Sequence, residues 1–89
     1  MTELADAPGH IGHLAYADDR FYVTDWGGNK VHVLSRDGRL LHTIGNAVAG
    51  YADGNVNVAS FNRPNGIAIN PAQRILYVTD KNGIRRIFL

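Results

Sequence analysis

Hydrophobic and polar positions along this chain alternate in short bursts, each closed by turn-forming residues. In the segment 30–34, Val31 and Val33 fall on one side and Lys30 and His32 on the other, the period of two that a half-buried strand requires. The same reading gives strands at 13–17, 21–25 and 39–44, and again at 66–70, 75–80 and 84–89. The bursts are rich in Val, Ile, Tyr, Thr and Phe, which suit a pleated surface. Between them stand Asp18-Asp19, Gly27-Gly28-Asn29, Asp37-Gly38, Pro71-Ala72-Gln73 and Asn82-Gly83, all with turn chemistry. Asp37-Gly38 is a strong hairpin signal, and Gly45 closes the burst that follows it.

The bursts repeat as a group. Tyr22-Val23-Thr24-Asp25 recurs unchanged as Tyr77-Val78-Thr79-Asp80, an offset of 55. Leu14-Ala15-Tyr16 precedes the first copy and Ile67-Ala68-Ile69 the second; Asn29 to Leu34 follows the first and Asn82 to Phe88 the second. Three segments in the same order make two structural units. The expected organisation is an N-terminal segment 1–11, a first unit 12–45, a connection 46–63 and a second unit 64–89. The first unit reads as a four-stranded antiparallel meander. The second stops inside or after its third strand, so its outer strand is expected to be missing. The connection is long for a compact protein, and Val48, Tyr51, Val56, Val58 and Phe61 give it apolar anchors, so an ordered loop is expected.

Composition narrows the picture. Gly, Asn, Asp and Pro together hold 28 of the 89 positions, and strong helix formers are scarce, which excludes a helical bundle. The absence of Cys removes disulfides and thiolate metal sites. A net charge of +1 offers no electrostatic footprint for nucleic acid. The N-terminal residues lack the basic and apolar regions of a signal peptide, making the cytoplasm the default expectation. No apolar run approaches the roughly 20 residues of a membrane span.

The motifs resemble those of the NHL-repeat family of β-propellers. Phe61-Asn62-Arg63-Pro64-Asn65-Gly66-Ile67-Ala68 is similar to that family's lead into the innermost strand of a blade. Leu76-Tyr77-Val78-Thr79-Asp80 with Ile84-Arg85-Arg86-Ile87 resembles its continuation, and Gly50 to Gly54 resembles the Asp-Gly segment that precedes it. The first unit departs, with Ala7 to His13 in place of the clean lead-in, and the Asn-His pair that names the family is absent from both units. Phe21 to Gly27 is also similar to the YWTD propeller repeat, with Val for its Trp. Either resemblance implies an all-β fold of propeller blades. Closed propellers have roughly 4–8 blades, so two blades must assemble or belong to something longer. A homotrimer of two-blade chains would close a six-bladed ring. Leu14, Tyr16, Val23, Val31, Val33, Ile67, Ile69, Val78 and Ile84 are then expected to be buried between blades.

Candidate chemistry is sparse. Asp25 and Asp80 close equivalent strands; they read as caps of the following turns ahead of a ring of cation ligands. His10 and His13 precede the first innermost strand and could bind Zn²⁺ if symmetry gathered copies; solvent-facing loop residues are the plainer reading. His32 and His42 read as exposed polar positions of outer strands, and Trp26 as a ring stacked on a neighbouring blade or on a ligand. Arg63 and Asn65 occupy the lead-in loop and are ligand-contact candidates, with an Arg63–Asp80 bridge as the structural alternative. Tyr22, Asp25, Tyr77 and Asp80 mark the repeat itself. There is no Gly-x-Ser-x-Gly, phosphate loop or His-Glu-x-x-His. The expectation is therefore a non-enzymatic binding or scaffold module, self-assembling, with a protein or small polar ligand and no resident cofactor. The alternatives are a metal-dependent hydrolase or lyase with Ca²⁺ or Zn²⁺ in the channel, as in enzymes the resemblance brings in, and a truncated piece of a longer propeller without independent function.

Overall fold

The computed structural model describes residues 11–45, 54–55 and 61–89. Eight strands run β1 Ile11–Ala17, β2 Arg20–Asp25, β3 Lys30–Ser35, β4 Leu40–Ile44, β5 Gly54–Asn55, β6 Ile67–Asn70, β7 Ile75–Asp80 and β8 Gly83–Phe88. They form two four-stranded sheets, ordered β1-β2-β3-β4 and β5-β8-β7-β6. The first is an antiparallel meander throughout. All but β5 are the expected strands, shifted by two residues at most.

The turns explain why the meanders close tightly. Asp18 and Asp19 take φ of 53° and 60°, and Asn29 takes 58°, the left-handed region that Asp and Asn tolerate best after Gly. Arg74 takes φ 56° in the β6–β7 turn, at the place where β2 is preceded by Asp19.

One expectation about the second sheet is corrected. Its outer edge is not bare: Gly54–Asn55, from the connection between units, pairs with β8. The pairing is parallel and short, so this is no antiparallel fourth strand; the connection itself caps the edge that β8 would otherwise present. The expectations for the N-terminal segment, His10, Val48, Tyr51, Val56 and Val58 lie outside the described residues.

Cross-strand register sorts the side chains into faces. On one face of the first sheet lie Tyr22 beside Val33, and Thr24 beside Val31 and Ile44. On one face of the second lie Ile67, Val78 and Arg85 in one row and Ile69, Leu76 and Ile87 in the next. These two faces meet, and with Phe61 they make the core: Tyr22, Val31, Val33, Ile44, Phe61, Leu76, Val78 and Ile87 are all buried. Ile67, Ile69 and Leu89 close its margin.

The other two faces are open, and this corrects the burial expected of three residues. Leu14 is 58% exposed, Tyr16 46% and Ile84 77%. Leu14 shares a row with Val23 and His32, and Tyr16 with Phe21 and Leu34, all on the open face of the first sheet. Ile84 pairs with Thr79 on the open face of the second. Two sheets share a single seam, so residues aimed away from it have no neighbouring blade to meet. Val31, Val33 and Val78 are buried in the seam as expected, Val23 is buried but on the face turned away from the second sheet, and Ile67 and Ile69 are half-buried.

Candidate functional site

The loop 61–66 brings the two sheets together at one end of the seam. Phe61 and Pro64 are fully buried and anchor it. The Asn65 backbone N–H donates to the Thr79 carbonyl (2.9 Å), and Lys81 N–H donates to the Asn62 carbonyl (2.9 Å). The Arg63 N–H crosses to the other sheet, donating to Asn29 Oδ1 in the β2–β3 turn (2.8 Å).

Thr24 supplies a second crossing. Its hydroxyl donates to the Asn65 carbonyl (2.8 Å) and accepts the His13 backbone N–H (2.9 Å). In the second sheet the equivalent Thr79 hydroxyl accepts the Gly66 N–H (2.9 Å). A Cβ on Gly66 would stand 2.6 Å from that hydroxyl, and one on Gly12 would stand 2.7 Å from Asn65 Oδ1 and 2.9 Å from Thr24 Oγ1. The glycines leading into both innermost strands are therefore places where the threonine of Tyr-Val-Thr-Asp comes too close for a side chain.

Four of the five sequence-derived ligand candidates meet here. Trp26, Arg63 and Asn65 line a shallow cleft of about 270 Å³. The Arg63 guanidinium sits 6.0 Å from the centre of the Trp26 ring, within cation–π range. Trp26 is exposed and so only partly follows the expectation of a ring packed on a neighbouring blade. The His13 ring Nδ1 lies 3.2 Å from both the Asn65 carbonyl and its side-chain oxygen, so the ring donates there in the Nδ1–H tautomer. Arg63 holds a φ of 54°, unusual for a long side chain.

Beneath this surface, each sheet buries one carboxylate against one basic side chain. Asp80 Oδ2 receives Arg85 Nη1 (2.8 Å) and the Asn62 N–H (3.1 Å), while Oδ1 caps the next turn through Asn82 N–H (2.8 Å). Asp25 Oδ1 caps its turn through Gly28 N–H (2.8 Å), and its Oδ2 lies 3.0 Å from His32 Nε2. His32 Nδ1 lies 3.2 Å from Thr43 Oγ1. The capping role read from the sequence is what both aspartates perform. These side-chain pairings were missed, and two assignments change. His32 is 2% exposed, not a solvent-facing position, because Asp25 and Thr43 flank its ring. Asp80 takes Arg85 instead of Arg63, whose guanidinium stands over Trp26. The usable signal was present: in both units the third strand places a basic side chain beside the valine of the Tyr-Val-Thr-Asp strand, His32 opposite Val23 and Arg85 opposite Val78. Arg85 also lies 6.0 Å from the Phe61 ring, tying the pair to the loop anchor.

Among the described residues no three His, Asp or Glu side chains gather where a metal ion could be held. His42 is exposed, as expected. The displaced titrations lie away from this end. Desolvation, then the hydrogen bond to Asp19, pushes the Tyr16 phenol up. The Ser35 hydroxyl holds Asp37 below the usual carboxylate range.

No family model matches the chain. It is 37% identical over 73 residues to NHL repeat-containing protein 2 of Gallus gallus, 33% over 84 residues to that of Bos taurus, and 34% over 73 residues to that of Homo sapiens. The matches take in 80%, 92% and 80% of this chain. The chain spans only about a tenth of the length of these relatives, 10%, 11% and 10% in turn. With a twice-used strand signature, two propeller-type sheets and these similarities together, the chain belongs to the NHL-repeat family of β-propellers.

Proposed function

We propose that this blade pair is a non-enzymatic binding module, and that the end carrying Trp26, Arg63, Asn65 and His13 is its contact surface for a polar, carboxylate-bearing peptide segment. The observation that supports the reading is the cleft itself: an exposed indole, a guanidinium held over it and an amide, on loops fixed by cross-sheet hydrogen bonds. Arg63 would receive a carboxylate, Asn65 a backbone amide, and Trp26 an apolar stem. Trp26 is the single tryptophan, so its emission reports on this surface alone. Selection of displayed peptides on the chain should enrich acidic sequences that quench Trp26 and are lost with Trp26→Phe or Arg63→Asn. Enrichment indifferent to both substitutions would overturn the reading.

The open faces support a second part of this proposal, that further blades of the same kind cover them. The seam joins two unlike faces. The open face of the first sheet repeats the rows that the second sheet brings to the seam: Leu14–Val23–His32 answers Ile67–Val78–Arg85, and Tyr16–Phe21–Leu34 answers Ile69–Leu76–Ile87. The open face of the second, with Tyr77, Thr79 and Ile84, repeats Tyr22, Thr24 and Val31. Unlike faces of this kind propagate and close only as a ring. For the chain alone, copies would supply the blades, as a trimer. Light scattering coupled to chromatography tests this: a closed trimer supports self-assembly, aggregation points to covering blades from elsewhere, and a monodisperse monomer with cooperative unfolding defeats the proposal.

A further inference from the structure

The seam has a second opening, at the strand ends opposite Trp26. There Arg20, which starts β2, and Arg74, which precedes β7, line a cleft of about 200 Å³ with Tyr22, His42 and Leu89. We propose that this cleft is a binding site for the dianionic head of a phosphate monoester.

Charge is the first reason. The lining has two guanidinium groups and an imidazole and no carboxylate side chain. The nearest acidic side chain along the chain, Asp19, lies 3.8 Å from the Arg36 guanidinium instead. Among the described residues neither Arg20 nor Arg74 has an ion-pair partner.

Tyr22 is the second. It is only 5% exposed, part of the core, and it lines the cleft. Its hydroxyl has no protein partner among the described residues and is not closed off from solvent, so it is free to donate into the cleft. An oxyanion in the cleft would accept that proton.

Backbone conformation is the third. Arg74 sits at φ 56°, where the first sheet uses Asp19 at φ 60°. Asp, Asn or Gly is at ease there, and a long side chain is not. Arginine gives the turn nothing that Asn would lack; it gives the cleft a fork of donors.

The donors fit phosphate better than a single carboxylate. Two guanidinium forks and a phenol offer more N–H and O–H groups than two carboxylate oxygens can use, and match three phosphoryl oxygens carrying up to two charges. At this volume the site takes a head group, not a nucleotide; ligand pockets for larger molecules run from roughly 300 Å³ upward. The head group could belong to a free small ester or to a phosphorylated side chain of a partner protein.

Calorimetry on the chain at about 0.1 M salt, where exposed charges are already screened beyond about 10 Å, tests this with three probes: inorganic phosphate, O-phosphoserine, and an otherwise uncharged phosphoserine peptide beside its unphosphorylated form. The phosphorylated probes should bind and the unphosphorylated peptide should not. Arg74→Asn and Arg20→Gln should each weaken binding about tenfold or more, and Tyr22→Phe several-fold. Arg74→Asn should melt at or above the parent temperature, which separates lost binding from lost fold. O-phosphoserine equal to the peptide assigns the site to a free ester; a peptide tighter by about tenfold, worth about 1.4 kcal/mol, assigns it to a phosphorylated protein. No binding by any phosphorylated probe, or binding unchanged in both arginine variants, overturns the proposal.

Discussion

The two blades use one strand signature to bury one carboxylate each, yet they neutralise it differently. Asp80 faces Arg85, a guanidinium; Asp25 faces His32, an imidazole, a side-chain type that carries charge only when protonated. The second blade therefore always holds an ion pair. In the first, the same geometry can also exist as a neutral hydrogen bond. Repetition fixes where the carboxylate goes, and the third strand decides how rigidly its charge is matched.

Breaking the pair from the carboxylate side should give the largest effect. Asp80→Asn leaves the Arg85 charge buried without its counter-ion and should cost about 3–5 kcal/mol. Asp25→Asn leaves an imidazole that can stay neutral, so about 1–2 kcal/mol is expected. Urea unfolding with the slope held constant measures both. Equal losses would mean that the two blades depend equally on their carboxylates, and would break the contrast.

Seam and open face make the next contrast. Leu76 is fully buried in the seam, and Leu76→Ala should cost about 2–5 kcal/mol. Ile84 belongs to the same repeat but faces outward, so in the two-blade chain Ile84→Ala should stay within about 0.5 kcal/mol. In an assembled ring Ile84 would lie in a new seam, and its truncation would then approach the Leu76 value. Measuring Ile84→Ala at rising protein concentration therefore reads assembly and packing in one series.

These contrasts also show what the sequence could and could not carry. Strand positions, the antiparallel meanders and the capping aspartates were legible because alternation, turn residues and an exact repeat are local signals. The place of Arg63 and Asn65 on the lead-in loop was legible for the same reason: they flank Pro64, which is buried. Face assignment was not. A period of two says that Tyr16 and Phe21 share a side, but whether that side meets a neighbour depends on the blades present. His32 was misread because polarity was taken for exposure, while burial followed from a carboxylate seven residues earlier. The two-residue strand Gly54–Asn55 left no mark, since so short a pairing is set by where the connection passes. Arg20 and Arg74 were silent too, being distant in sequence and joined only by the seam.

The glycine–threonine contacts sharpen the comparison at smaller scale. Gly66→Ala sets a methyl 2.6 Å from Thr79 Oγ1 and should cost about 1–3 kcal/mol. Thr79 is exposed and serves its own sheet, so adding Thr79→Ala should recover part of that loss in a double-mutant cycle. Gly12→Ala should not be recovered by Thr24→Ala, because Thr24 is buried and holds both His13 and Asn65 across the seam. Rescue of both would mean that the cross-sheet hydrogen bond contributes little.

The smallest effect expected is at Arg63. It and Asn29 face each other across the seam, both at positive φ, 54° and 58°, and only Asn29 is a residue type suited to that conformation. Arg63→Asn keeps the N–H that donates to Asn29 Oδ1. It relieves a strained side chain, worth up to about 1 kcal/mol, and removes the guanidinium over Trp26, worth about 0.5–1 kcal/mol at an exposed site. The two nearly cancel, so stability should move by no more than about 0.5 kcal/mol while the Trp26 emission maximum shifts. A loss well above about 1 kcal/mol would make Arg63 a staple between the blades, leaving Trp26 and Asn65 without the cation that the proposed carboxylate contact requires.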